Sequence, residues 1–231
     1  MRCGLQGSID QSFSSLGSLE VINLRLNSMS GAFPQYFADF LNLSMLMLVG
    51  SDLDGLFPQK IFELKKLTYL ELPDNANLVV QVQSFPNGSS LHMLALGGTN
   101  LSIANPSSIG NLRSSQFLGI DAGVISKEFS SSLSTLDSLE MLDLFRFVLQ
   151  NESCFSWIGD RKNLIFLTLS HGDFSRTTNS WIGNLTNLEE LIILNSFFSG
   201  PIPTEIGNLN NLMVLTLENS SLSGSIPVLD C

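Results

Sequence analysis

Apolar residues recur in this chain at intervals that fit neither a long helix nor a long strand. In the stretch from Ile206 to Pro227, leucines lie three, three and two residues apart, at Leu209, Leu212, Leu215 and Leu217. A helix would need an apolar residue about every 3.6 positions and a strand would need one at every second position. The pattern L-x-x-L-x-L therefore predicts a short strand within a longer repeated unit.

The same unit recurs along the whole chain. When the last leucine of L-x-x-L-x-L is taken as a phase marker, successive markers are 24 residues apart, except for one step of 25. The markers are Leu24, Leu48, Leu72, Leu96, Ile120, Leu144, Leu169, Ile193 and Leu217. Self-similarity at this period with this motif is the signature of a leucine-rich-repeat solenoid.

Two further columns are apolar in all nine repeats. Two residues before the marker stand Ile22, Leu46, Leu70, Leu94, Leu118, Leu142, Leu167, Leu191 and Leu215. Eleven before it stand Phe13, Phe37, Ile61, Phe85, Ile109, Leu133, Ile158, Ile182 and Ile206. A single coil cannot bury both columns, so the repeats must stack and share a core.

Several repeats continue after the strand with L-S-G-x-I-P or a close variant, starting at Met29, Leu53, Phe198 and Leu222. The sequence I-G-N-L, as at Ile182 and Ile206, precedes the leucine motif. This combination resembles the plant-specific class of extracellular leucine-rich repeats, and the resemblance covers essentially the entire chain. The family includes receptor-like proteins, receptor-like kinases and secreted polygalacturonase inhibitors.

The resemblance implies an α/β-type solenoid, a right-handed superhelix with a parallel β-sheet on its concave face and irregular or 3-10 segments on its convex face. We expect one domain over residues 1–231, with nine full repeats of 24–25 residues and a partial repeat at 1–10. The terminal caps of the family are missing, so we interpret the chain as a fragment or truncated product.

One polar column of the family is largely lost. The family's asparagine, three residues after the marker, bonds the turns of neighbouring coils; here that column reads Asn27, Ser51, Asn75, Thr99, Gly123, Phe147, Gly172, Ser196 and Ser220. Gly123, Phe147 and Gly172 cannot replace the amide, and an unpaired buried backbone group costs about 1–3 kcal/mol. We therefore expect the segment from Gly123 to Gly172 to be the looser part.

Composition excludes several classes of function. Hydrophobic residues are 44% of the chain and charged residues 14%, which is typical of an ordered protein. The net charge of −10 argues against nucleic acid or anionic lipid as a general partner. The cysteines, Cys3, Cys154 and Cys231, have no metal-ligand spacing, and no cofactor motif is present.

Catalytic and membrane signals are also missing from the sequence. The two histidines, His92 and His171, lie in different repeats, and there is no hydrolase, metalloprotease or kinase motif. We predict that the chain is not an enzyme and that any kinase domain would lie beyond it. No apolar run is long enough to span a bilayer and no signal peptide is recognisable, so membrane attachment would need segments absent from this chain.

Six N-x-S/T sequons occur, at Asn42, Asn87, Asn100, Asn151, Asn184 and Asn219. Together with the family resemblance they predict a glycoprotein of the secretory pathway. We exclude Asn219 from the predicted sites because it lies near the inner strands, where a glycan would obstruct binding.

The predicted ligand-binding surface is the concave face, at positions three and one before the marker and one or two after it. The candidate residues are Arg25, Tyr69, Glu71, Asp74, Phe117, Asp121, Asp143, Phe145, Arg146, His171 and Glu218. Phe145, beside Arg146, is the best single anchor. The apolar stripe that contains Tyr69 and Phe117 has a second interpretation, in which its members only pack along the sheet.

These observations predict a ligand- or partner-binding ectodomain of a plant receptor-like protein or kinase, extracellular or secreted, in recognition and defence signalling. Its partners would be a protein or peptide ligand and, as a further candidate, a co-receptor. Two alternatives stay open from the sequence: a secreted inhibitor of a microbial cell-wall-degrading enzyme, or a truncated, non-functional copy.

Overall fold

Each L-x-L pair forms a short parallel strand, because alternate residues of a strand point to the same side and both leucines enter the core. The computed structural model describes residues 4–174, 179–198 and 200–226. Within them the strands are β1 (Gln6–Gly7), β2 (Val21–Asn23), β3 (Ser28–Ala32), β4 (Met45–Met47), β5 (Asp52–Leu56), β6 (Tyr69–Glu71), β7 (Leu78–Val82), β8 (Met93–Ala95), β9 (Asn100–Ile103), β10 (Phe117–Ile125), β11 (Met141–Leu149), β12 (Phe166–Asp173), β13 (Glu190–Leu194) and β14 (Val214–Glu218).

Short helices follow the strands in most repeats. A proline precedes three of the 3-10 helices, at Pro34, Pro58 and Pro203, where its fixed φ suits the entry into a helical turn. The 3-10 helices are Gln11–Ser15, Gln35–Asp39, Gln59–Glu63, Pro106–Asn111, Glu152–Cys154, Ser156–Asp160, Asn179–Asn184 and Thr204–Asn208, and the α-helix is α1, Lys127–Leu133.

The chain divides into two compact units: residues 1–115 with 119–121, and residues 116–118 with 122–231. In the first unit, β2, β4, β6 and β8 pair in parallel at a constant register, in which Val21, Met45, Tyr69 and Met93 lie side by side. A second parallel sheet of that unit has the order β1-β3-β5-β7-β9. The prediction of a single domain over 1–231 stays a prediction.

In the second unit, β11 to β14 pair in parallel in chain order, with Met141, Phe166, Glu190 and Val214 side by side. Two of these strands, β11 and β12, are longer than β1 to β9 of the first unit. β10 and β11 have 9 residues each and β12 has 8, so each continues past the leucine pair to the polar column.

Leucines and phenylalanines fill the interior of both units. In the first unit Phe33 packs against Phe57 with ring centroids 4.9 Å apart. In the second, Phe147 lies parallel to Phe155 at 5.8 Å, and both rings meet the edge of Phe174. Both predicted apolar columns enter these cores, and their burial weakens only towards the ends of the described chain, as at Phe13 and Leu215.

The polar column makes turn hydrogen bonds at most positions where an amide or hydroxyl remains, and the buried Ser51 hydroxyl is an exception. The Asn75 amide donates to the carbonyl oxygens of Leu48 and Leu72, both at 2.8 Å, and its oxygen accepts from the Leu53 amide at 3.2 Å. Ser196 and Ser220 reach back in the same way to backbone carbonyls of the preceding repeat. Serine is thus a partial substitute for asparagine.

Backbone pairing takes over where the amide is lost, so the reason given for a looser middle does not apply at Phe147 and Gly172. The looseness of the segment from Gly123 to Gly172 itself stays a prediction. Phe147 and Gly172 face each other within the β11–β12 ladder, and Asp173 forms a further parallel bridge with Phe197. The Gly172 amide also reaches the Ser196 hydroxyl at 3.2 Å. Longer strands therefore satisfy the groups that the sequence left without a partner.

Gly172 is needed for this arrangement because of the Phe147 ring beside it. A Cβ added to Gly172 would lie 2.3 Å from Cζ of Phe147, far inside contact distance. Glycine in this column makes space for the aromatic side chain of the preceding repeat. The two departures from the family pattern are therefore complementary.

We predict that Asn75→Ala lowers the free energy of unfolding by about 2–4 kcal/mol, since it leaves several buried groups unpaired and opens a cavity. The matched control is Ser51→Ala in the same column, because the buried Ser51 hydroxyl has no hydrogen-bond partner. That control should change stability by less than about 1 kcal/mol. Urea denaturation measures both, and equal losses would contradict the assignment of the column's hydrogen bonds to Asn75.

We predict that Gly172→Ala destabilises the protein by about 1–3 kcal/mol through overpacking against Phe147. Adding Phe147→Leu should recover part of this loss, because the smaller side chain makes room for the methyl group. Gly97→Ala is the control, since a Cβ there meets nothing within 4 Å. Additive effects of the two substitutions at 172 and 147 in thermal unfolding would refute the steric explanation.

Candidate ligand-binding face

The candidate site lies on the solvent side of the strands that carry the leucine pairs. We call this the open face: the positions three and one before the marker and one and two after it. Its outermost column is half-buried at Met45, Met93, Phe117, Met141 and Phe166, since neighbouring side chains cover one another along the ladder. Tyr69 is more exposed than these.

The open face ends at a bend that recurs in the repeats. The residue two after the marker has a left-handed backbone, with φ between 46° and 75°, in eight of the nine repeats. Five of these positions hold glycine, asparagine or aspartate, which tolerate that conformation: Gly50, Asp74, Gly98, Asn195 and Asn219. The other three hold Leu26, Arg146 and His171.

Phe145, Arg146 and His171 form one cluster in the second unit. The Phe145 and His171 rings lie 4.7 Å apart between centroids, and the Arg146 guanidinium carbon lies 5.2 Å from the centre of the Phe145 ring. This is the geometry of a cation–π contact. Phe145 is half-buried, whereas Arg146 and His171 are exposed, so the cluster offers an aromatic surface flanked by two nitrogen-bearing groups.

In the first unit, Arg25 and Glu71 form an ion pair across the intervening strand β4. The sequence predicted Glu71 as an exposed ligand residue, but the structure differs: Glu71 is only 4% exposed. Burial beside the arginine removes most of the carboxylate from solvent. Glu71 therefore orients Arg25, and Arg25 is the member of the pair that solvent reaches.

The remaining predicted residues are spread along the face. Asp121 is half-buried, and its carboxylate accepts from the Gly98 amide at 3.3 Å, which gives it a part in holding the bend. Asp143 is half-buried, while Asp74 and Glu218 are exposed. The structure thus brings together Arg25 with Glu71, and Phe145 with Arg146 and His171.

The recurrent bend was not predicted, although the sequence holds a signal for it. Glycine, aspartate and asparagine occupy five of the nine positions in that column, an enrichment typical of left-handed conformations. This signal would have identified Arg146 and His171 as residues in a left-handed backbone conformation, which arginine and histidine rarely adopt.

Two pKa shifts, those of Asp10 and Tyr36, lie away from the open face. Hydrogen bonds from Ser12 hold the pKa of Asp10 below its usual value, and Asp10 caps the helix that follows. Burial, together with the charge of Asp10, raises the pKa of Tyr36. Neither group belongs to the candidate site.

The predicted glycosylation sites are accessible to different degrees. Asn87, Asn100, Asn151 and Asn184 are exposed, whereas Asn42 is half-buried and its side-chain oxygen accepts from the Lys66 ammonium at 2.7 Å. Modification of all five stays a prediction.

Within the described ranges, no group of three or more histidine, cysteine, aspartate or glutamate side chains is placed to hold a metal ion. A search of the same residues finds no helix with the length and apolar character of a membrane span. Cys154 is a buried free thiol, and Cys3 and Cys231 lie outside the described residues.

No family model matches this sequence, and no curated protein matches it. Solved structures do match. The ectodomain of the Arabidopsis receptor kinase HAESA, in complex with the peptide hormone IDA and the co-receptor SERK1, superposes with a TM-score of 0.67 at 24% identity. The match covers 95% of this chain and 41% of that one.

Two other structures define how far the similarity extends. The leucine-rich-repeat ectodomain of the Arabidopsis thaliana receptor kinase GASSHO1/SCHENGEN3, in complex with CASPARIAN STRIP INTEGRITY FACTOR 2, gives a TM-score of 0.56 at 24% identity, covering 97% of this chain and 27% of that one. Internalin C2 from Listeria monocytogenes also gives 0.56, at 18% identity, covering 81% and 76%.

The predicted fold class is therefore confirmed: the chain has the α/β-type leucine-rich-repeat fold, with parallel strands and 3-10 segments, and is similar to plant receptor-kinase ectodomains. It spans less than half the length of those two receptor ectodomains. Because a bacterial internalin shares the fold, the fold alone does not assign a function.

Proposed function

We propose that this chain is part of the ligand-binding ectodomain of a plant receptor-like protein or receptor-like kinase and acts in recognition and defence signalling. It would bind a protein or peptide ligand by contact alone and would have no catalytic role. Both receptor structures described above are complexes, one with a peptide hormone and a co-receptor and the other with CASPARIAN STRIP INTEGRITY FACTOR 2. That similarity supports the proposal of ligand binding on the extracellular side, with a co-receptor as second partner.

One observation carries the choice of site: Arg146 and His171 both adopt the left-handed backbone next to Phe145. This conformation costs a residue other than glycine roughly 1–2 kcal/mol. Five repeats avoid that cost with glycine, asparagine or aspartate. Leu26 accepts it alone in the first unit, whereas at the cluster two adjacent repeats accept it side by side. Strain of this kind is typical of binding sites, where it presents a side chain in a defined direction.

The cluster is chemically suited to a peptide. Phe145 offers a rigid aromatic surface for an apolar side chain, and aromatic and arginine residues dominate the energy of protein interfaces. Arg146 and His171 supply donors for carbonyl or carboxylate oxygens of the ligand. Arg25, oriented by Glu71, would supply a further cation in the first unit.

We expect the double variant Phe145→Ala with Arg146→Glu to lose peptide binding, by about 30-fold or more, because it removes the aromatic anchor and reverses the charge. Biolayer interferometry against a panel of synthetic secreted plant peptides, with IDA as one member, measures the effect. Far-ultraviolet circular dichroism should show an unchanged fold.

The matched control is Leu41→Ala with Arg113→Glu, the same kinds of change at two exposed residues away from the open face. It should bind like the unmodified chain. A peptide bound equally well by the Phe145/Arg146 variant would contradict the site, and failure of every peptide in the panel to bind the unmodified chain would contradict a peptide ligand.

A further inference from the structure

A second exposed surface lies just beyond the bend in the second unit. In four consecutive repeats the fourth residue after the marker is Val124, Val148, Asp173 and Phe197; we call these four residues the lateral row. Val124, Val148 and Phe197 are 67%, 51% and 66% exposed. They rank with the most exposed large apolar side chains of the described residues.

The lateral row is contiguous, because its members stand on neighbouring strands. Val148 pairs with Asp173 in the β11–β12 ladder, and Asp173 forms a parallel bridge with Phe197. The Gln150 amide donates to the Ile125 carbonyl at 3.1 Å, which places Val124 beside Val148. Parallel strands lie about 4.8 Å apart, so the row is a continuous band of side chains.

These side chains cannot turn inward. Phe147 and Leu149, on either side of Val148, are buried, and alternation along a strand directs Val148 to the opposite face. Ser196 and Phe198 flank Phe197 in the same way. The exposure is therefore set by the strand geometry rather than by a choice of rotamer.

The fold does not require apolar residues at these positions. In the first unit the same column holds Ser28, Asp52, Ala76 and Asn100, all of them small or polar and all exposed. Because these positions are equivalent in every repeat, the exposed apolar residues are a feature of the second unit and not a requirement of the coil. Contiguous exposed apolar residues on a sheet face are typical of interaction sites.

Asp173 decides what kind of partner fits. It lies between Val148 and Phe197, and a partner that covers all three must place a group compatible with a carboxylate between two apolar groups. A second copy of this chain, related by a two-fold axis, would set Asp173 against an apolar residue of the row or against its own equivalent, which is unfavourable in both cases. The chain's net charge of −10 also disfavours self-association.

We propose that the lateral row binds an extended segment of a partner protein that carries a lysine or arginine between two apolar side chains. The apolar side chains cover Val148 and Phe197, and the cation lies over Asp173. A carboxylate accepts several hydrogen bonds, so the interaction that Asp173 makes within the chain is compatible with this role. The site is separate from the Phe145 cluster on the open face and does not depend on it.

Two short synthetic peptides test the proposal. Both are designed to be extended and differ only in the central residue, which is lysine in one and glutamate in the other. A leucine stands two positions before the central residue and another two positions after it, so that the three side chains lie on one side. We expect the lysine peptide to shift the amide resonances of Val148, Asp173 and Phe197 in a titration of the isotope-labelled chain, and to bind about tenfold more tightly than the glutamate peptide. The preference should shrink in high salt.

Three variants assign the effect. Phe197→Ser should weaken the lysine peptide about tenfold, and Asp173→Asn should remove the preference between the two peptides. Leu41→Ser, at an exposed leucine of the first unit, should leave the binding of both peptides unchanged.

Equal binding of the two peptides, absence of binding, or resonance shifts confined to other residues would overturn the proposal. So would a dimer in sedimentation velocity that Phe197→Ser abolishes, because the row would then be covered by a second copy. If Asp173→Asn does not fold, the salt dependence of the unmodified chain still decides whether charge contributes.

Discussion

The structure depends on the burial of each coil's apolar columns by the next coil at the same register. Leu46 and Leu48 have no exposed surface because the equivalent leucines of neighbouring repeats lie beside them. A coil that slipped by one residue would turn its strand leucines to solvent. The repeat length is therefore held at 24 residues. The one extra residue comes between Leu144 and Leu169, where strand β11 is followed by two 3-10 helices, Glu152–Cys154 and Ser156–Asp160.

The same constraint explains how the second unit tolerates the loss of asparagine. Once stacking holds the coils in register, backbone groups in the polar column can pair along longer strands, as Phe147 does with Gly172. The space that an amide would occupy is filled instead by the Phe147 ring, which contacts Phe155 and Phe174. Most repeats that keep an amide or hydroxyl in the polar column use it for turn hydrogen bonds, as at Asn75 and Ser196. Repeats with phenylalanine or glycine there use backbone pairing and aromatic packing.

Several features could be predicted from the sequence because they are local and periodic. The strands and the buried columns follow from spacing alone, and the hydrogen bonds of Asn75 follow from the resemblance to the plant repeat class. The pairing of Arg25 with Glu71 could not, since the two lie two repeats apart and only the stacking distance brings them together. The fit of Gly172 against Phe147 was missed for a similar reason: each departs from the family pattern, and their complementarity is visible only across neighbouring coils.

The candidate site was predicted in part. Phe145 and Arg146 do lie on the open face, and the structure adds His171 as their neighbour. The lateral row escaped notice because the column four after the marker is polar in the first unit and shows no family motif. Exposed residues that differ from repeat to repeat do not follow the repeat pattern. They can be interpreted only once the structure shows which strands carry them and which residues lie beside them.

Native-state hydrogen exchange tests the central claim, that strand pairing replaces the asparagine hydrogen bonds. The amides to compare are those of Gln150 and Phe174, which donate to Ile125 and Phe197, and those of Leu48 and Leu72, which donate to Glu71 and Ala95 near Asn75. We predict protection factors within about tenfold of one another, because all four amides donate to a backbone carbonyl of an adjacent repeat. Exchange at Gln150 and Phe174 that is faster by about a hundredfold or more would contradict it.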